Sequence, residues 1–269
     1  MKVDYSNLIR MKLLREMKTG AFSECSRLPR ELELAEQLGV SRNHLCEVLA
    51  QLEREGFITR IHGVGTVINH HVMKVKYRMD IETEFLDIIR QNGYAPGVSC
   101  VNVTEEKADS FVAEKLQIPE DTEVLRVSRV CTANDKPAIY CEDILEKKLI
   151  KEAYTLKDFE APIFHFLKKC CYIEAYMDLT QLHAVLSDEK VSSALEIKIG
   201  TPLLNMEEVE YDIDGNIVFY SSQYFIDEYF EQTVLRKNYR DSMKRVETMV
   251  ATLFLLYFYC INLEKNCKR

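Results

Sequence analysis

The sequence predicts an α+β protein in two parts: an N-terminal winged helix-turn-helix and a larger C-terminal domain built on an antiparallel sheet. Helical periodicity dominates residues 5–56, and β-branched residues in extended runs follow over 57–69. Beyond residue 93, short strands separated by turn signals alternate with helices. A chain of 269 residues is long enough for two packed domains.

Three helices are predicted in the first part. Apolar residues recur at helical spacing over 5–19, which predicts the first helix. The second opens at Leu28, next to a proline that the first turn of a helix tolerates, and stops at Gly39. Ser41 then caps a third helix that ends at Gly56, so two short helices meet across a tight turn.

A β-hairpin is predicted after the third helix. Its β-branched residues flank the sequence His62-Gly63-Val64-Gly65, which is typical of a glycine-containing hairpin tip. Helix, helix-turn-helix and hairpin in this order indicate a winged helix. Such a unit places its last helix in the major groove of DNA, and its hairpin, the wing, approaches the backbone or the minor groove.

A polar connector over 70–80 and a helix over 81–91 lead into the second part. The pairs Asn134-Asp135 and Asp214-Gly215 join consecutive strands as antiparallel hairpins. Strands are predicted over 98–104, 124–132, 138–145, 173–185, 203–211 and 217–225, with helices over 108–116, 163–169 and 188–195. We assign 1–70 to the winged helix, 71–92 to the linker and connecting helix, 93–238 to the sheet domain and 239–269 to a C-terminal extension.

The extension contains an apolar-leaning stretch over 249–263, shorter than the roughly 20 residues that a transmembrane helix requires. No membrane partner is therefore expected. Packing on the sheet domain, a dimer contact, a sequence artefact and interfacial membrane binding all remain open for this stretch.

Composition restricts the kind of protein. The net charge is -8, but residues 1–70 hold ten lysines and arginines against nine acidic residues, so the acidity lies in the rest. DNA affinity must therefore come from where the N-terminal charges stand. The nine cysteines contain no C-x-x-C pair and no histidine at zinc-finger spacing, so neither a metal site nor a disulfide framework is indicated. Without a secretory signal, we expect reduced thiols and a cytoplasmic protein.

Residues 28–66, LPRELELAEQLGVSRNHLCEVLAQLEREGFITRIHGVGT, resemble the winged helix of the GntR superfamily. The second half resembles the UTRA effector-binding domain of the HutC-type branch. Its landmarks lie at 93–97, 108–119, 136–137, 200–204 and 212–215. Such an ordered set of motifs, spanning about residue 3 to residue 237, is far more specific than any one motif alone.

The resemblance implies a chorismate lyase-like fold for the second domain and a DNA-binding transcriptional regulator, expected to be a repressor. A small-molecule effector would modulate its affinity for the operator, and no cofactor is expected. Because a single helix in one groove gives little specificity, we expect a homodimer on a palindromic operator in double-stranded DNA.

Candidate DNA-binding residues begin with Ser41, Arg42, Asn43 and His44 in the first turn of the third helix. Side chains there reach base edges, and free N–H groups favour a phosphate. Arginine binds guanine bidentately and asparagine binds adenine. The alternative is a polar helix start that is merely solvated, and for the wing a simple turn. The remaining candidates are Arg30, Arg60, His62, Gly63 and Gly65.

Two family positions depart from the resemblance. Where the family carries further arginines on the second and third helices, this chain has Leu32 and Cys46, and neither neutralises a phosphate. Weaker binding, use of Arg30 instead, or a divergent operator would each accommodate the change.

Charges on apolar strand faces indicate an effector pocket. Arg129 shares its strand face with Leu125 and Cys131, and Glu142 shares one with Tyr140. Such charges are costly unless they are paired or bound to a ligand. The alternative is that the two pair with each other, although the resemblance matches both to effector-contacting positions.

The resemblance also implies lost phosphate contacts. The family's second pocket arginine is Cys131 here, its phosphate-binding serine and tyrosine are Pro162 and Phe164, and a carboxylate is Phe219. We therefore expect a neutral or more apolar effector instead of a sugar phosphate. The effector candidates are Arg129, Cys131, Glu142, Phe164 and Phe219.

Two other functions stay open. Leu32 and Cys46 are consistent with an effector-binding module whose DNA contacts have weakened or been lost. A chorismate lyase-like enzyme is the second alternative, because fold does not settle function. The sequence offers no nucleophile–base set, metal cluster or phosphate loop, so no catalytic residue is assigned.

Overall fold

The computed structural model describes residues 5–81 and 83–237. The chain divides into two compact units, residues 1–233 and 234–269, and everything below concerns the first. The predicted apolar stretch over 249–263 lies outside the described residues.

The N-terminal part is a winged helix, as predicted. Its buried apolar side chains come from all three helices and the hairpin and form one core. The third helix contributes most: Leu45, Val48, Leu49 and Leu52 recur at helical spacing and are at most 1% exposed. The elements are α1 (Tyr5–Lys18), α2 (Glu31–Leu38), α3 (Arg42–Arg54), β1 (Ile58–Ile61) and β2 (Gly65–Ile68).

Helix α2 begins three residues later than the sequence pattern indicates. Leu28 donates its backbone N–H to the carbonyl of Thr66 at 2.9 Å, and Arg27 forms a β-bridge with Val67. The segment before α2 therefore pairs with the wing, and Arg30 keeps an extended backbone as the residue preceding the helix.

The connector is more structured than predicted, and its second helix is shorter. A one-turn helix, α4 (His70–Met73), opens it, and α5 (Phe85–Gln91) begins four residues after the predicted start at 81. Over 74–81 the chain runs through turns and bends, and it is tied down where Arg78 forms a parallel bridge with Thr233 and Met79 donates its N–H to the carbonyl of Thr233 at 2.9 Å.

The C-terminal part is a six-stranded sheet in the order β3-β4-β5-β8-β7-β6, with every neighbouring pair antiparallel. Asn134 and Asp135 turn β4 into β5 with φ of 50° and 65°, the left-handed backbone that a two-residue hairpin loop requires. The strands are β3 (Pro96–Lys107), β4 (Glu123–Ala133), β5 (Lys136–Glu146), β6 (Met177–Leu186), β7 (Pro202–Tyr211) and β8 (Ile217–Phe225); the helices are α6 (Ser110–Leu116), α7 (Ile163–Phe166) and α8 (Glu189–Leu195).

The two faces of this sheet are covered by different elements. The face that carries Leu125 and Cys131 packs against α5 and α7. The opposite face, which carries Ile144 and Tyr140, packs against α6 and α8. Because alternate residues of a strand point to opposite faces, this division decides which charged side chains share a compartment.

Candidate functional site

The start of α3 is exposed and polar. Ser41 is its N-cap, with an extended backbone and an Oγ that accepts the backbone N–H of His44 at 3.2 Å. Arg42 and Asn43 lie on the surface beside it, and the Arg42 side chain is 65% exposed. The helix tip is therefore open to a DNA duplex.

Arg42 is held by an acidic neighbour on α2. Its Nε and Nη2 donate to Oε2 of Glu31 at 3.3 and 3.1 Å. The hydrogen bond from Arg42, followed by one from the Cys46 thiol, lowers the pKa of the Glu31 carboxyl. Since exposed ion pairs contribute about 0–1 kcal/mol, a phosphate or a guanine can replace Glu31 at little cost.

His44 differs from its three neighbours. Its Nε2 lies 3.3 Å from Oγ of Ser6, and its ring meets Tyr5 edge-to-face with centroids 5.8 Å apart. These contacts hold the half-buried imidazole against α1, which gives His44 a packing role, and its contact with DNA stays a prediction.

The wing tip exposes His62, Gly63 and Gly65. The φ angles of the two glycines are 73° and 109°, values that side-chain-bearing residues rarely adopt. Arg27 donates from Nη1 to the carbonyl of Val64 at 3.0 Å and so braces the tip. Sequence reasoning missed Arg27, because only the pairing of its segment with the wing brings it there.

The remaining DNA-binding candidates stand in different surroundings. Arg30 is exposed, whereas Arg60 is anchored to α3, with both its backbone N–H and Nε donating to Glu53 at 2.8 Å. Leu32 is 63% exposed. The Cys46 Sγ lies 3.4 Å from Oε2 of Glu31, and burial and then Glu31 raise the pKa of this thiol.

A cavity of about 310 Å³ lies on the sheet face that α5 and α7 cover. Its floor consists of side chains from all six strands, and its cover consists of the connector over 77–81 and 83–86 and the loop over 160–164. Four of the five predicted effector residues line it: Arg129, Cys131, Phe164 and Phe219. Their role in binding stays a prediction.

Strand register assembles the cavity floor. Arg129 lies opposite Cys141, which lies opposite Gln223. One pleat further along, Asp143 lies opposite Ser221, and Ser221 opposite Glu208. Directly opposed residues of antiparallel strands share a face, so side chains separated by many residues in sequence become neighbours.

Arg129 is 4% exposed and is bonded on two sides. Its Nη2 donates to Oδ2 of Asp143 at 2.8 Å, and its Nη1 donates to the carbonyl of Ala161 at 2.9 Å. Asp143 in turn accepts the Ser221 hydroxyl at 2.6 Å. The arginine therefore ties the sheet to the loop that covers the cavity.

The prediction that Glu142 belongs to the pocket is wrong, and so is the alternative that it pairs with Arg129. Glu142 lies opposite Ser128 on the other sheet face, where it pairs with Lys190 and lies 3.9 Å from Arg126. It does share a face with Tyr140, as predicted, but that face packs against α6 and α8. Asp143, the next residue along the chain, lines the cavity instead and pairs with Arg129.

Sequence reasoning also missed the acidic side chains of the neighbouring strands. Glu208 accepts Nε2 of Gln223 at 2.8 Å and the Thr180 hydroxyl at 3.3 Å. Burial, and then the charge of Asp178, raise the pKa of Glu208 to about 7. Period-two alternation along β7 places Glu208 and Glu210 on the face of Met206, a signal that could have identified them.

An exposed helix tip on a winged helix, joined to a sheet domain with a lined cavity, defines the class of ligand-responsive DNA-binding proteins. The chain matches two families: the UTRA domain over residues 91–231, and bacterial regulatory proteins, gntR family, over residues 6–68. It belongs to the gntR family of bacterial regulatory proteins, in the branch that carries a UTRA domain. None of the helices within 5–81 and 83–237 is long and apolar enough to cross a membrane.

Named relatives of the chain are transcriptional regulators. It is 24% identical over 204 residues to the HTH-type transcriptional repressor NagR of Bacillus subtilis (strain 168), covering 76% of this chain and 83% of NagR. It is 25% identical over 200 residues to the histidine utilization repressor of Pseudomonas putida, covering 73% of this chain and 77% of that repressor. The crystal structure of YydK from Bacillus subtilis has the same fold, with a TM-score of 0.71 and 20% identity over 86% of this chain and 99% of YydK.

Proposed function

We propose that this protein is a transcriptional repressor whose affinity for its operator is modulated by a small molecule bound in the sheet-domain cavity. One observation carries the proposal. The connector, which lines the cavity over 77–81 and 83–86, also holds the C-terminal end of the helix that would enter DNA. The repressor names of the relatives support the sign of regulation.

Arg78 makes that connection. It is 7% exposed, and its Nη1 donates at 2.5 Å to the carbonyl of Glu55, the C-cap residue of α3. Its guanidinium lies 5.2 Å from the centroid of the Phe57 ring and pairs with Asp80. Because Asp80 and the residues on either side of Arg78 line the cavity, a ligand that displaces the connector also displaces the end of α3.

In this proposal Arg42 and Asn43 contact base edges, Ser41 and the exposed wing residues contact the backbone, and two copies read a palindromic operator in the cytoplasm. The effector acts through a population shift. It must bind more tightly to one arrangement of the DNA-binding parts than to the other.

The test is binding of the full chain to the DNA upstream of its own gene at increasing salt. We expect affinity to fall steeply, since each neutralised phosphate releases counterions.

Arg78→Met should keep DNA binding within about threefold and abolish its response to an effector, because the connection to α3 is lost. Arg90→Met, which removes an exposed arginine of α5, is the matched control and should leave the response intact.

Leu32 and Cys46 favour a second candidate, an effector-binding module whose DNA contacts have decayed. Absence of DNA binding even at low salt would support that candidate and contradict the first. Binding of an effector by a chain that ignores DNA would complete the case for it.

A further inference from the structure

The charges around the cavity are unbalanced. Among the described residues, seven carboxylates line it against one lining guanidinium, that of Arg129. Arg129 pairs with Asp143, and Arg78, just outside the lining, pairs with Asp80, so carboxylates still outnumber cations. Four of the seven belong to the sheet: Asp143, Asp178, Glu208 and Glu210. A ligand in this cavity therefore meets an excess of negative charge.

Arg129 offers an anion little. Asp143 and the Ala161 carbonyl each accept an N–H from its terminal nitrogens, and Asp143 already balances its charge. A buried anionic ligand would compete with Asp143 for this one guanidinium while lying beside carboxylates that repel it. The desolvation of its charge would then go largely uncompensated.

One buried acceptor in the cavity wall lacks a donor. Gln223 is 1% exposed, and its Nε2 donates both to Glu208 and, at 2.6 Å, to Ser221. These two bonds fix the orientation of the amide, and its Oε1 has no hydrogen-bond partner. A buried acceptor without a donor is costly, so the site calls for a ligand that donates hydrogen bonds.

We propose that the cavity binds an organic cation, an ammonium or guanidinium group on an apolar body, with Glu208 as its principal counter-ion. This inference rests on the proposed function, because it names the class of the effector. The sequence predicted a neutral or more apolar effector. The cavity favours a charged head group and still favours an apolar body.

The rest of the wall fits the apolar body. The rings of Phe164 and Phe219 lie 6.0 Å apart at the cavity, and Val98 and Met206 complete this side. Aromatic faces also stabilise cations. A metal ion is a poorer fit: within the described residues no three carboxylate, imidazole or thiol groups converge as metal ligands require.

The test uses two trios of probes that share an apolar body and carry a cationic, a neutral or an anionic head group. One trio is 2-phenylethylammonium, 2-phenylethanol and phenylacetate, and the other is hexylammonium, 1-hexanol and hexanoate. Calorimetry on the full chain should show each ammonium binding at least tenfold more tightly than its alcohol, and the carboxylates not binding. Equal or tighter binding of an alcohol or a carboxylate, or no binding by either trio, overturns the inference.

Two adjacent glutamates provide the matched variants. Glu208→Gln should weaken binding of the ammonium probes at least tenfold, because their counter-ion is lost. Glu207→Gln removes the same charge from the opposite sheet face, where Glu207 pairs with Lys115 at 2.7 Å, and should change that affinity less than twofold. Equal losses in the two variants would contradict a site at Glu208.

The pH dependence supplies a second readout. Glu208 is influenced by Asp178 and Thr180 of β6, Asp143 of β5 and the neutral Gln223 of β8. The same cavity is also lined by Glu210 of β7, Ser221 of β8, Tyr77 and Arg129. Since the pKa of Glu208 is about 7, affinity for the ammonium probes should rise from about pH 6 to about pH 8. Glu208→Gln should flatten that rise, and an unchanged rise in this variant contradicts the role of Glu208.

Failure of this inference is distinct from failure of the proposed function. If carboxylates bind the cavity and alter DNA affinity, the proposed regulatory function is supported and the inference of a cationic ligand is wrong. If the chain does not bind DNA, the proposed function falls whatever the probes do.

Discussion

Arg42 and Arg129 each pair with a carboxylate, in opposite settings. Arg42 is 65% exposed and meets Glu31 at 3.1 Å, whereas Arg129 and Asp143 are at most 5% exposed and meet at 2.8 Å. Water screens the first pair, so it breaks readily when a better partner such as DNA arrives. The second pair lacks that screening, and losing either partner leaves an uncompensated buried charge.

The two regions therefore use the same chemistry for different ends. At the helix tip the Arg42–Glu31 pair is exposed and weak, so Arg42 can exchange Glu31 for another partner. In the cavity wall the Arg129–Asp143 pair is buried, and Arg129 also bonds the Ala161 carbonyl, so it fixes the sheet to its cover. Substitutions that separate these roles test the comparison.

The largest effect is expected at the buried pair. Arg129→Met should lower the free energy of unfolding by about 3–5 kcal/mol, because Asp143 is left buried and unpaired. Arg90→Met, which removes an arginine from an exposed pair, should cost under about 1 kcal/mol in the same denaturant titration. Similar losses in both variants would show that burial does not separate the two kinds of pair.

Glu208 should make the stability of the unliganded protein depend on pH. Its pKa is raised from 4.5 to about 7, so its contribution is present at low pH and is lost as pH rises through about 7. Glu208→Gln should therefore be more stable than the parent by about 2–3 kcal/mol near pH 8 and equal near pH 4. Asp178→Asn should lower the pH at which Glu208 loses its contribution, because the charge of Asp178 raises the pKa of Glu208. A stability difference between Glu208→Gln and the parent that does not change with pH would contradict this prediction.

Arg42→Ala should weaken operator binding by about 1–3 kcal/mol and leave the unfolding midpoint unchanged, since the pair with Glu31 contributes little. Lys107→Ala removes one positive charge from the exposed surface of the sheet domain and should have little effect. Fluorescence anisotropy with labelled operator DNA measures both. Equal effects on binding would remove Arg42 from the interface.

The smallest effect has the opposite sign. Glu31→Gln should tighten operator binding about two- to fivefold, because Arg42 is released and a negative charge near the phosphates disappears. In the Arg42→Ala background the same substitution should gain less, since only the charge effect remains. A loss of affinity in Glu31→Gln would mean that Glu31 positions Arg42 for DNA.

The winged helix could be predicted closely because its signals are local. The side chain of Ser41 caps a helix that lies within a few residues of it, and the apolar positions of α3 all face one core. The start of α2 could not be predicted in the same way. It depends on pairing between Leu28 and Thr66, which are far apart in sequence.

In the sheet domain, alternation correctly placed Arg129 among apolar residues but did not identify its partner. By itself the sequence determined the order of elements, the turns and the identity of the exposed helix tip, because capping, periodicity and turn chemistry act over a few residues. Only the tertiary structure decided that Asp143 and not Glu142 meets Arg129, and that Glu208 faces the same cavity. Register and the choice of covered face depend on which strands pair and which helices pack on them, and these contacts join residues distant in sequence.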